Sequence, residues 1–272
     1  MDDLGGGLHF TKMQGTGNSF LICWENISLV SRAKTTKALC DPNFGIGADG
    51  MVFLNAEKNG SFVWDFYNSD GSPAEFCGNA ARCVALSIFE KDLKTKKINI
   101  KTMAGEVLCE VKNQHLVQVQ MPKVEWLSKS LLLPMWPNPV AWLNTGVPHL
   151  VVEVQSVEEL KSYPSEAALM RSWVGLGSGG ANVTFLFMHS AQKISAVTFE
   201  RGVEKFTLAC GTGAVAAAHF MMEKNKTSDC QVLMPGGQLD VVSTGGNILM
   251  TGEAYKIADL TAPSEIFKKD PS

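Results

Sequence analysis

Two stretches of the chain set a cysteine where it could do acid–base chemistry. The first reads Glu75-Phe76-Cys77-Gly78-Asn79-Ala80-Ala81-Arg82-Cys83-Val84-Ala85, and the second Leu208-Ala209-Cys210-Gly211-Thr212-Gly213-Ala214-Val215-Ala216-Ala217-Ala218. Each is Cys-Gly, then a small polar residue, then a run rich in Ala and Val. Gly with Asn or Thr suits a tight turn into a helix, and the Ala-rich run suits a helix packed on all sides. Each cysteine is then expected at a helix N-terminus, where unpaired N–H groups and the positive dipole end favour a thiolate. Such cysteines reach pKa values of about 3.5–7.5, against about 8.5 for an ordinary thiol. The same N–H groups bind anions. Two such helix starts could clamp one carboxylate and place a sulfur on each face of the carbon beside it. One thiolate would remove a proton from that carbon and the opposite thiol would return one, which is racemisation or epimerisation of an amino acid with no cofactor and no metal. Two buried helices that each begin with an inert core cysteine are the plainer alternative. The pairing of the two stretches favours chemistry.

The elements that must position these cysteines follow from the local pattern. The chain has 272 residues, enough for two domains, and the two cysteine motifs lie 133 positions apart (210 minus 77), as a duplication would place them. Strands are predicted over 9–13, 20–24, 51–54, 62–67, 97–101, 106–111 and 116–121, with a helix over 29–39 and the Cys77 helix between the fourth and fifth of these strands. The first half is thus mostly antiparallel sheet around one long buried helix. Residues 122–141 carry prolines at 122, 134, 137 and 139 and read as a linker. The second half repeats the plan, with strands over 150–154, 182–188, 195–199, 231–234, 238–242 and 248–254, the last closing the sheet. The predicted domains are 1–122 and 123–257, with the tail 258–272 a candidate to rejoin the first. Gly5-Gly6-Gly7 reads as a flexible lead.

Composition narrows the function. A net charge of −3, with 45% apolar and 19% charged residues, describes a globular protein with no electrostatic case for nucleic acid or an anionic membrane. Seven cysteines without CxxC or zinc spacing, and no basic-then-apolar leader, point to reduced thiols in the cytoplasm. Gly45-Ile46-Gly47-Ala48-Asp49-Gly50 matches GxGxxG, but it follows Asp41-Pro42-Asn43 and precedes a strand. The dinucleotide motif needs the reverse context, so a glycine loop shaping a pocket wall is expected. Cys23, Cys40, Cys83, Cys109 and Cys230 read as packing residues.

Further blocks complete a pattern that resembles the diaminopimelate epimerase family. They are Lys12-Met13-Gln14-Gly15-Thr16-Gly17-Asn18, Gly45-Ile46-Gly47-Ala48-Asp49, Asn68-Ser69-Asp70-Gly71-Ser72, Gly146-Val147-Pro148-His149, Glu200-Arg201-Gly202 and Thr251-Gly252-Glu253-Ala254, with the two cysteine motifs in their places between them. The resemblance runs from Phe10 to Ala254. It implies an α+β fold of two similar domains, each a sheet wrapped round a central helix, with the active site in the cleft between them and closure on the substrate. It implies that Cys77 and Cys210 are the acid–base pair and that His149 and Glu200 tune their protonation. It further implies that Asn18, Asn68, Asn79, Asn182, Glu200, Arg201 and Thr212, with the Gly78 and Gly211 backbones, hold a small amino-acid substrate. The family precedent for the assembly is a homodimer. This chain departs from the family pattern at several positions. Val147 stands where the family has Asn before Pro-His, and Gly202–Thr207 is one residue longer than usual. Gln14, Ser19 and Ala80 replace His, Asp and Gly. Ala258 replaces a Tyr that many members place at the dimer contact, which weakens the case for a dimer. Val147 removes a polar group from the end of the site that would receive the distal end of diaminopimelate, so relaxed selection that admits glutamate or aspartate is expected, and the nearest rival is a two-thiol racemase of glutamate, aspartate or a proline derivative. More distant rivals are a thiol redox enzyme and a non-catalytic amino-acid sensor.

Overall fold

Local hydrophobic patterning builds two units of the same design. The computed structural model describes residues 7–263 and 266. It divides into two compact units, one holding the residues up to Val119 together with those from Glu253 onward, the other Gln120–Gly252. The elements in chain order are β1 (Leu8–Gly15), β2 (Asn18–Cys23), α1 (Leu29–Cys40), β3 (Gly50–Ala56), β4 (Phe62–Asn68), β5 (Pro73–Ala74), α2 (Gly78–Lys91), β6 (Lys97–Thr102), β7 (Gly105–Val111) and β8 (Leu116–Met121). They continue with β9 (Glu125–Leu133), β10 (Trp136–Asn144), β11 (Pro148–Glu153), α3 (Pro164–Arg171), β12 (Asn182–Ser190), β13 (Lys193–Glu200), β14 (Lys205–Phe206), α4 (Gly211–Asn225), β15 (Asp229–Met234), β16 (Gly237–Thr244), β17 (Asn247–Glu253) and β18 (Tyr255–Ala262).

The strand pairings show the duplication directly. In the first unit β1–β2, β3–β4, β4–β5, β6–β7 and β7–β8 pair antiparallel, while β2–β3 and β4–β6 pair parallel. In the second, β10–β11, β12–β13, β13–β14, β15–β16 and β16–β17 pair antiparallel, while β11–β12 and β13–β15 pair parallel. A further antiparallel strand flanks each first strand, β18 on β1 and β9 on β10. Both units are therefore α+β, with a mostly antiparallel sheet.

Each sheet has one helix buried almost throughout. In α2 every residue from Gly78 to Ile88 is buried, and in α4 so are Gly211, Gly213–Ala218 and the Met221-Met222 pair. The small Ala side chains let strands approach closely, and α4 shows little of the one-sided apolar stripe of a surface helix. A smaller helix covers a separate cluster in each unit. Leu39 of α1 belongs to a cluster with Leu8, Phe10, Leu21, Met51 and Phe53, and Met170 of α3 to one with Leu150, Val152, Val183, Phe185 and Val197.

Two parts of the sequence-based expectation are corrected. Residues 122–141 are not a linker: most of them form β9 and β10, which pair antiparallel with Trp136 opposite Leu133 and Val140 opposite Leu131. The pairing slips between Trp136 and Val140, the interval that holds Pro137 and Pro139, so neither proline is asked for a ladder N–H. Leu133 and Val140 are in the core, which is what holds the strands in place. Nor does the segment ending at Ala254 finish the sheet. β18 follows it and runs along β1, from Leu8 opposite Ala262 to Gln14 opposite Tyr255. Of the tail 258–272, residues 264, 265 and 267–272 lie outside the described residues, as do Gly5 and Gly6 of the glycine lead. The GxGxxG stretch runs directly into strand β3, with the helix before it rather than after, so it is not a dinucleotide turn.

Candidate active site

The two cysteines occupy the same backbone position at the same kind of helix start. Cys77 is the N-cap of α2, with φ −147° and ψ 117°, and Cys210 is the N-cap of α4, with φ −130° and ψ 107°. Each cap carbonyl accepts the first helical bond, Ala81 N–H to Cys77 O at 2.9 Å and Ala214 N–H to Cys210 O at 2.8 Å. The first-turn N–H groups of any helix lack partners within it, so each start favours an anion beside its sulfur. Cys210 is buried and Cys77 half-buried. The remaining cysteines belong to the interior. Burial pushes Cys40, Cys83 and Cys109 up to about 12, and Cys23 and Cys230 up to about 11, so they stay protonated.

Amides and one buried cation surround the Cys77 helix start. The β1–β2 turn is left-handed at Thr16 (φ 54°) and Gly17 (φ 86°), and the Gly17 N–H is held by Gln14 Oε1 at 3.0 Å. This turn presents Asn18, whose Oδ1 accepts from Asn79 Nδ2 in the first turn of α2. Asn18 Nδ2 donates to Asp49 Oδ2 at 3.3 Å, and the same oxygen takes the Ser19 N–H at 2.8 Å. The Asp49 carbonyl accepts the Ser69 N–H at 3.1 Å, which ties in the loop after Asn68. Asn68 Nδ2 itself donates to Ser72 Oγ at 3.1 Å. So Asn18 and Asn79 touch, next to Gly78, while Asn68 is linked to them through Asp49 and the adjoining loops. Asn79 Oδ1 is buried with no partner in the structure.

Arg82 had no role in the sequence reading, and its placement gives it one. It is fully buried, donating from Nη2 to Thr16 Oγ1 and from Nε to Glu253 O at 3.4 Å. Its Nη1 has no partner, and among the described residues no carboxylate forms an ion pair with it. Burial lowers its pKa, while the thiols of Cys83, Cys77 and Cys109 raise it. Asp49 was likewise missed as a contributor. Its signals were its place in the block 45–49 and an acid between a glycine loop and a strand.

In the second unit the equivalent helix start meets a histidine. His149 is fully buried, with Nδ1 3.1 Å from Thr184 Oγ1 and Nε2 3.0 Å from Thr212 Oγ1. Thr212 Oγ1 is 3.4 Å from Cys210 Sγ, and its carbonyl accepts from Thr145 Oγ1 at 3.0 Å. Asn182 bridges His149 and the chain at Arg201: Nδ2 lies 3.3 Å from His149 Nε2, and Oδ1 accepts the Arg201 N–H at 2.8 Å. Arg201 Nη1 donates to Gly179 O at 2.9 Å, and Glu200 Oε1 accepts from Thr207 Oγ1 at 2.5 Å. Burial first, and then the Arg201 charge, push His149 down to about 3, so its ring is neutral near pH 7. His149, Asn182, Arg201, Gly211, Thr212 and Cys210 thus form one connected group, with Glu200 next to Arg201 in the chain.

The duplication aligns the two groups residue by residue. Phe20 pairs with Gly50 as His149 pairs with Asn182, and Met51 pairs with Tyr67 as Val183 pairs with Phe199. Asn18 therefore corresponds to Val147, Asn68 to Glu200, Asn79 to Thr212 and Arg82 to Val215. The helix starts match, but their surroundings do not. One sulfur has a buried cation on its helix, and the other has a neutral imidazole reached through a hydroxyl. Among the described residues no cluster of His, Cys, Asp or Glu is placed to hold a metal ion, and no helix is long and apolar enough to cross a membrane.

Known proteins share both the sequence and the fold. The family model described as "Diaminopimelate epimerase" matches residues 10–127 and 141–257. A diaminopimelate epimerase of Aquifex aeolicus (strain VF5) is 33% identical over 96% of this chain and 100% of its own length. One of Carboxydothermus hydrogenoformans is 34% identical over 91% of this chain and 96% of its own. Among solved structures, a putative phenazine biosynthesis PhzC/PhzF protein from Clostridium difficile (strain 630) matches with a TM-score of 0.73. It does so at 15% identity, covering 94% of this chain and 99% of that one, which is a likeness of fold.

Proposed function

We propose that this chain, which belongs to the diaminopimelate epimerase family, interconverts LL- and meso-diaminopimelate by inverting one α-carbon with two thiols and no cofactor. The observation that carries the reading is the matched pair of N-cap cysteines at buried helix starts. Inversion needs a base on one face of the α-carbon and an acid on the other. One cysteine takes the α-proton as thiolate and the other returns a proton as thiol, and the roles exchange in the reverse direction. The α-proton is weakly acidic, so charge building on the carboxylate has to be stabilised. The first-turn N–H groups after Cys77 and Cys210 are donors suited to that charge, those of Gly78-Asn79 and Gly211-Thr212 foremost. Asn18, Asn68 and Asn182 supply amides that both donate and accept, and the Arg201 guanidinium suits a carboxylate. Glu200 and His149 set the protonation around the thiols.

In this reading the enzyme works in the cytoplasm, where reduced thiols are kept, in the supply of lysine and of peptidoglycan precursors. A homodimer is its assembly in this reading, which sedimentation velocity checks.

A second reading keeps the scaffold and the chemistry but widens the substrate to glutamate and aspartate. It rests on Val147, the apolar counterpart of Asn18. Deuterium incorporation at Cα in D2O separates the two readings. The panel is LL-diaminopimelate, L-glutamate, L-aspartate and L-proline, with Cys77→Ser and Cys210→Ser as controls. Label in diaminopimelate alone, lost in both variants, is the expected result. Label in glutamate or aspartate as well establishes the wider racemase. No label in any of the four would end the catalytic reading.

A further inference from the structure

The hydrogen bonds around His149 can be followed outward from one whose direction is fixed. The Arg201 backbone N–H can only donate, so the Asn182 atom 2.8 Å from it is the oxygen. The Asn182 amide nitrogen then faces His149 Nε2 at 3.3 Å, and an NH2 group can only donate. Nε2 must therefore present its lone pair. In a neutral imidazole the hydrogen is then on Nδ1, and it points at Thr184 Oγ1, 3.1 Å away. Thr184 Oγ1 in turn is 3.0 Å from Thr198 Oγ1, which can accept the Thr184 hydroxyl hydrogen. Thr212 Oγ1 lies 3.0 Å from the same Nε2, which carries no hydrogen, so the hydrogen in that contact is the Thr212 hydroxyl's and it shares the Nε2 lone pair with the Asn182 amide. That leaves only oxygen lone pairs facing Cys210 Sγ at 3.4 Å, and the hydrogen between them has to come from the sulfur. His149, Thr184 and Thr198 are fully buried, so bulk water does not compete for the bonds among these three, while the two Thr212 contacts are part-buried.

We infer that Asn182, Thr184 and Thr212 are positioning residues that lock His149 as its Nδ1–H tautomer and, through the Thr212 hydroxyl, hold Cys210 as a thiol at rest. The inference deepens the two-thiol reading and rests on it. It makes Cys210 the acid in the resting enzyme. When Cys210 passes its proton to the substrate carbon it becomes a thiolate, and the Thr212 hydroxyl turns from Nε2 to the sulfur. The burial that holds His149 down to about 3 acts in the same direction, because it opposes parking the thiol proton on the ring. Asn182 acts through this network even if no atom of it touches substrate.

The tautomer can be read directly, independently of turnover. The full-length enzyme is labelled with 15N-histidine, and long-range 1H–15N correlation assigns the ring nitrogens, the His149 signals being those lost in His149→Gln. The expected result is a protonated Nδ1 and an unprotonated Nε2 throughout about pH 5–8. An Nε2–H tautomer or an imidazolium in that range overturns the inference. Asn182→Asp then tests the lock. It is nearly isosteric and keeps an acceptor for the Arg201 N–H, but it offers Nε2 an acceptor instead of a donor. The ring should move its hydrogen to Nε2, Thr212 should donate to Cys210, and the pH midpoint for Cys210 alkylation should fall by about one unit, a tenfold faster reaction below it. An unchanged tautomer and midpoint in Asn182→Asp overturn the inference. If that variant does not fold, Thr184→Val carries the same test, because it removes the acceptor of the Nδ1 hydrogen, with Thr184→Ser expected to restore the wild-type midpoint. Deuterium exchange on the same samples separates the two levels. A correct tautomer with no α-exchange would retain the lock and remove the epimerase reading.

Discussion

Arg82 separates the two thiols at the scale of single residues. A guanidinium without a carboxylate partner is expensive to bury, and here one nitrogen is left without any partner at all. What it does have nearby are thiols, Cys77 among them, five residues earlier at the start of the same helix. A cation in a low-dielectric setting favours a thiolate. The matching position on α4 is Val215, so of the two N-cap cysteines only Cys77 has this support. Arg82→Met should raise the pH midpoint for Cys77 alkylation by about one unit, while Arg82→Lys should stay near wild type. Peptide mass spectrometry of iodoacetamide-treated enzyme across a pH series measures both. If Lys and Met shift the midpoint equally, the role of Arg82 is its bonds to Thr16 and Glu253, not its charge. Taken with the proposed His149 lock, this reading assigns Cys77 as the resting base and Cys210 as the resting acid.

Packing at the scale of elements decides how closely α4 can lie on its sheet. A Cβ added to Gly213 would come within 2.3 Å of Thr198 Oγ1, 3.0 Å of Thr184 Oγ1 and 3.3 Å of His149 Cε1. These are three members of the hydroxyl–imidazole chain, so the glycine is what lets the helix start touch it. Gly213→Ala forces either the helix or the hydroxyls to move. It should cost about 1–3 kcal/mol, as overpacking does, and lower the melting temperature by several degrees with a loss of turnover. Calorimetry together with the deuterium-exchange assay checks this, and a variant of unchanged stability and rate would mean that the contact relaxes at no cost. The same elements show what could be read in advance. The helix starts were legible because a Cys-Gly-polar-Ala run is a local signal of cap and tight packing. The threonine chain was not, because Thr184 and Thr198 meet only through the register of β12 on β13, which places them opposite each other, and register is a non-local property. Pro137 and Pro139 misled for a related reason: a proline argues against a regular ladder, and here the ladder slips where they stand.

Stability against pH tests the buried imidazole at the scale of the whole molecule. His149 binds a proton in the folded chain only near pH 3, but in the unfolded chain near 6.5. Between those values the unfolded state holds more protons, so stability is fully present above about pH 6.5 and is lost as the pH falls through that window. For one such group the loss between about pH 7 and pH 5 is roughly 2 kcal/mol. His219, also lowered by burial, adds to the slope in the same direction. Several surface carboxylates, such as Asp70 and Asp259, are lowered by hydrogen bonds from Ser72 and Thr11, and their contributions fade at more acid pH, below the ordinary carboxylate range. The interval from pH 7 to pH 5 therefore reports mainly on the two histidines. Urea unfolding of the wild type should weaken across it, and His149→Gln should show a flatter profile by about the single-histidine amount. Parallel profiles for the two proteins would mean that His149 titrates normally in the folded chain. A normally titrating ring would be an imidazolium by pH 5, with a hydrogen on Nε2 facing the Asn182 amide, which the donor arithmetic around that residue forbids.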